Sequence, residues 1–64
     1  PERDRQRREQ VAAQIERYRG AGAISPTEMT ELEGQIALLD PASRREMLSR
    51  LARAMNANEI QGRM

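Results

Sequence analysis

Two prolines, each directly preceded by a helix-capping residue, divide this chain into three stretches. Ser25-Pro26-Thr27-Glu28 reads as a capping box, with Ser at the N-cap, Pro at the first helical position and Glu three residues after the Ser. Asp40-Pro41 repeats the cap-then-proline order. The residue before a proline avoids helical geometry, so Asp40 also ends the helix that precedes it. The spacing therefore predicts one helix over 26–39 and another over 41–56, joined so tightly that they form a hairpin or a sharp elbow.

Helical periodicity supports the division. Met29, Leu32, Ile36 and Leu39 follow a three-four-three spacing, and Met47, Leu48, Leu51, Ala54 and Met55 mark an apolar face on the next helix. Upstream, Val11, Ala12, Ile15 and Tyr18 predict a helix over 3–19 whose first turns carry no large apolar side chain. Gly20-Ala21-Gly22-Ala23 suits a helix C-cap and a short connection over 20–25. Ile24 stands where a hydrophobic staple against Met29 is expected. Asn56 and Asn58 weaken the end of the third helix, and 57–64 reads as one extra turn or a loose tail. The expected fold is a single small all-α domain: a short three-helix arrangement, helices two and three forming a hairpin at Asp40-Pro41, helix one partly docked. The competing arrangement is a two-helix hairpin with a long, partly free N-terminal helix, which could dimerise into a four-helix bundle.

Composition narrows the chemistry. The chain has 64 residues and no Cys, His, Lys, Phe or Trp. No disulfide or thiol chemistry is open to it, and the usual metal ligand and general base are missing. Its carboxylates Glu28, Glu31, Glu33 and Asp40 have no nucleophile or base beside them, and several have capping or helix-dipole roles. Gly20-Ala21-Gly22 lacks the strand and Lys of a phosphate loop. The expectation is a protein that is not an enzyme, with no catalytic residue, cofactor, metal or small-molecule substrate. No apolar run approaches the roughly 20 residues that span a membrane, and no signal-peptide core is present. The expected setting is the cytoplasm or a larger internal assembly, neither secreted nor membrane-spanning. Pro1 is either the residue exposed by removal of an initiator Met or the boundary of a longer chain.

A chain this short buries only about 60% of the surface its unfolded form exposes, so a partner is expected to complete its core. The expected function is a small protein–protein interaction or assembly subunit, completed by self-association into a homo-oligomer or by a larger partner, as in a bacterial or phage-particle accessory component. The expected partner-binding residues are Met29, Leu32, Ile36, Leu38, Leu39, Leu48, Leu51 and Met55. Leu38 and Gly34 fall off the main seam of helix two, four apart on a second face, where either helix one or another chain could come close.

Charge supplies the rival reading. All eleven basic residues are Arg, which codon bias over a whole chain can produce and which also suits bidentate phosphate contact. Net charge is +2 over residues 1–20, −4 over 21–40 and +3 over 41–64. Such alternation can simply set which helices lie side by side. In a nucleic-acid-associated regulator or packaging protein, Arg3, Arg5, Arg7, Arg8, Arg44, Arg45, Arg50 and Arg53 would contact phosphates. Against that stand the interleaved acids and a single aromatic residue, Tyr18.

Overall fold

A computed structural model of the chain describes residues 2–62; the expectations placed on Pro1 and on the last two tail positions lie outside that range. Three helices, α1 (Glu2–Ala21), α2 (Pro26–Ala37) and α3 (Pro41–Asn56), are accompanied by two very short strands, β1 (Ala23–Ile24) and β2 (Gln61–Gly62). The chain is all-α: α1 packs on both α2 and α3, and these two form the hairpin.

The helix starts follow from their caps. Ser25 is extended (φ −80°, ψ 162°), and Glu28 N–H donates to its Oγ at 3.2 Å. In return Ser25 N–H donates to Glu28 Oε1 at 2.9 Å, so both halves of the capping box are made. Asp40 is likewise extended (φ −63°, ψ 160°), and its carboxylate accepts from Ser43 N–H at 3.1 Å.

Helix α1 runs to Ala21 rather than 19, the turn out of it coming at Gly22 and not Gly20. The end of α2 and the stretch after α3 differ from expectation as well. Helix α2 stops at Ala37 rather than 39, and the chain tightens there: Leu38 N–H donates to Gln35 O at 3.2 Å and Leu39 N–H to Ile36 O at 3.0 Å. Since Asp40 must be extended ahead of Pro41, the reversal has to begin before it. Leu39 nonetheless remains buried. At the other end of α3, Asn58 does not fray the helix but terminates it. It takes the left-handed conformation (φ 61°), donating to Met55 O at 3.1 Å while Glu59 N–H donates to Ala54 O at 2.8 Å. These two bonds make a Schellman motif, with Asn in the place that Gly more often fills.

The cap aims Ile60 into the core, where it is 1% exposed. Residues 61 and 62 then pair in parallel with Ala23 and Ile24, and Gln61 N–H donates to Gly22 O at 3.0 Å. Gly22 itself requires glycine, because it leaves α1 at φ 80°. The stretch after 56 is thus partly a fastening: Ile24 and Ile60 close one end of the helices. The core collects Val11 and Ile15 from α1, Leu32 and Ile36 from α2, Met47, Leu51 and Ala54 from α3, and Ile24, Leu39 and Ile60 from the connections. Each fully buried large aliphatic side chain contributes about 1.5–3 kcal/mol. Helix α1 brings only the second half of its length to this core; from Glu2 to Gln10 only Arg7 is even half-buried.

Candidate interaction surface

The eight apolar residues expected to meet a partner separate into three groups. Leu32, Ile36, Leu39 and Leu51 lie in the chain's own core. Met29 and Met55 are half-buried and pack against it. Leu38 and Leu48 are exposed, at 59% and 45%. Folding the hairpin turns the seams of α2 and α3 toward each other, and α1 covers them, so six of the eight residues serve the fold.

Leu48, expected on the apolar seam of α3, does not belong to it. The buried stripe of α3 is Met47, Leu51 and Ala54, and Leu48 sits about 100° round the helix from Met47. It belongs instead to a second stripe, Pro41, Arg45, Leu48, Ala52 and Met55, spaced four-three-four-three. Pro41, Arg44, Arg45 and Leu48 line an open depression on this side. The stripe was visible in the sequence; what hid it was not knowing which side of α3 would be covered by α1.

On α2, Gly34 has nothing within 4 Å of the place a Cβ would occupy. Helix α1 therefore does not approach closely at Gly34, and the face it shares with Leu38 is open.

The arginines do not converge. Arg5 pairs with Glu2. Arg8 and Arg50 share Glu46, at 3.8 and 3.5 Å, which ties α1 to α3 on that side. Arg7 Nη1 donates a long bond (3.5 Å) to Leu38 O, and Arg44 Nη2 donates to Leu39 O at 3.0 Å and Ala37 O at 3.3 Å. Helix α2 has no basic residue in its own last turn, so these two arginines from its neighbours supply the positive charge its carbonyl end favours. Arg3, Arg45 and Arg53 are exposed and make no ion pair among the described residues. Of the residues not singled out beforehand, Arg19 bridges Glu16 at 2.8 Å and Glu59 at 3.2 Å, linking α1 to the segment after α3. Its guanidinium pKa is raised further above its already high value, chiefly by the Glu16 hydrogen bond.

Between α1 and α3, Glu16, Arg19, Arg50, Arg53 and Glu59 rim a groove floored by Ile15 and Ala54. Cations and acids alternate there, leaving no strong field of either sign. Gln14 Oε1 is shut off from solvent without a hydrogen-bond partner. Among the described residues no group of three or more His, Cys, Asp or Glu is placed to hold a metal ion, and no helix is long and apolar enough to cross a membrane. No family model matches this chain, and neither a curated protein nor a solved structure does.

Proposed function

We propose that the chain is a small non-enzymatic protein–protein interaction or assembly module. The observation that carries this reading is the exposure of Leu38 and Leu48, where the other large aliphatic side chains among the described residues are buried or half-buried. An exposed leucine costs the isolated protein solubility and contributes little to its stability, whereas on a binding face it supplies contact area. The seam residues fill the chain's own core, so a partner would meet the finished surface rather than complete the interior. Among the described residues the carboxylates are scattered along the surface and not gathered in a shared cleft, which favours binding over catalysis. Nucleic-acid binding is the less favoured alternative. Five of the eight candidate phosphate-contacting arginines, Arg5, Arg7, Arg8, Arg44 and Arg50, already engage carboxylates or helix-end carbonyls.

Site-specific photo-crosslinking in the cells that make the protein tests the reading. With the photoreactive residue at position 38 or 48, a discrete adduct to a protein is expected; at exposed Ala13, none. Adducts at all three positions alike, at none, or only to nucleic acid would overturn it.

A further inference from the structure

We propose that the Leu48 face of α3 docks an acidic amphipathic helix supplied by a partner protein. The inference rests on reading the chain as an interaction module, and it adds the place and the chemistry of the partner.

The place follows from the two sides of α3. Glu46, the one acid on this helix, lies toward α1 and is engaged by Arg8 and Arg50. Leu48 is two residues on, about 200° round, and so faces away from that pair. On its side the spacing four-three-four-three brings Pro41, Arg45, Leu48, Ala52 and Met55 into one line. Leu48 stands out, Ala52 is exposed and small, and the half-buried Met55 offers a thioether that adapts to what packs on it. The line runs about 21 Å, the length over which a partner helix presents two successive heptads of apolar residues.

The chemistry follows from charge. The depression around Leu48 is lined by Pro41, Arg44 and Arg45 and by no acid. Arg44 is held by the Ala37 and Leu39 carbonyls, which carry no full charge to neutralise it. Arg45 makes no ion pair among the described residues. Glu46 lies on the far side of the helix, and Asp40, just before Pro41, has its carboxylate turned to Ser43 at the start of α3. An apolar strip edged by cations is complemented by a helix that is apolar on one face and acidic beside it. A second copy fits less well: it brings the same Arg44 and Arg45 and no acid to this face, so a two-fold contact through it adds cations to cations. A nucleic acid would find the guanidinium groups but no aromatic ring here, since Tyr18 is on α1.

Fluorescence anisotropy with the full chain and two labelled 18-residue amphipathic peptides, one of Leu and Glu, the other of Leu and Lys, tests the proposal. Saturable binding of the Leu/Glu peptide is expected, weakened at least about tenfold by Leu48→Glu and by Arg45→Glu. Leu38→Glu, at a residue that does not line the depression, is expected to leave it unchanged, and the Leu/Lys peptide not to bind. All three positions are exposed, so circular dichroism should show folded variants. No binding of the Leu/Glu peptide, equal binding of the two peptides, indifference to Leu48→Glu and Arg45→Glu, or competition by self-association would overturn it. If position 48 crosslinks to a protein while the Leu/Glu peptide fails, the acidic-helix proposal falls and the interaction-module reading stands.

Discussion

Arg44 Nη2 lies 3.0 Å from the carbonyl oxygen of Leu39 and 3.3 Å from that of Ala37, so one guanidinium from α3 closes the end of α2 across the hairpin. A charge-assisted hydrogen bond to a helix-end carbonyl satisfies an acceptor the helix cannot. Arg44→Ala is therefore expected to lower stability by about 1 kcal/mol in urea titration, with helix content little changed under native conditions. Arg44→Lys should recover only part, because an ammonium is a single point where the guanidinium is a fork.

Ile60 is the residue whose role was least visible beforehand. Truncation to Ala leaves a cavity in the core, at a cost of about 2–5 kcal/mol, and loosens the pairing of Gln61 and Gly62 with Ala23 and Ile24. For a domain this small, whose net stability is only about 3–5 kcal/mol once chain entropy is set against burial, that loss is expected to abolish the cooperative melt seen by circular dichroism. A normal melt for Ile60→Ala would mean that the segment after α3 does not fasten the fold.

These two residues mark what the sequence could reveal. Caps at Ser25 and Asp40 are local: the donor, the acceptor and the proline lie within four residues, so the pattern can be read without knowing the fold. Asn58 was equally local, and it signals a left-handed helix end as well as a weak helix former. Ile60 is different, because it is buried in a core built from segments far away in sequence, next to a pairing with residues 23 and 24, and a lone isoleucine among polar residues has no period to show it. Leu48 lay between these cases. Its stripe was readable, but whether it faced solvent depended on where α1 docks. Leu38 was readable as off the seam, and it stays outside because α2 turns at Ala37.

Gly34 offers a test of an open face. A helix-interior glycine costs about 1 kcal/mol relative to alanine, and a Cβ at this position would meet nothing within 4 Å. Gly34→Ala is thus expected to raise stability by up to about 1 kcal/mol in urea titration. A loss of stability would show that the backbone there is more closely approached than the structure has it.

Acid sensitivity should involve the second cap. Hydrogen bonds from Ser43, the hydroxyl first and the backbone N–H second, hold the Asp40 carboxyl below its ordinary pKa. A group with a depressed folded-state pKa stabilises the fold above its unfolded value, about 3.9 for Asp, and that contribution fades as pH falls through the folded value. Asp40→Asn keeps a cap but cannot titrate, so its melting temperature should fall less steeply than the native chain's between pH 5 and pH 2 (about this range, by the Asp reference value). Parallel slopes would remove Asp40 from the account.

The central claim is that the helices complete one another's apolar faces within a single chain. Sedimentation equilibrium paired with thermal melting, at concentrations spanning about two orders of magnitude, addresses it directly, because an obligate oligomer's midpoint moves with concentration. The account predicts the mass of one chain, a cooperative loss of helix, and a midpoint that stays fixed across the series. A midpoint that climbs with concentration, or helix that forms only as the mass doubles, would contradict it.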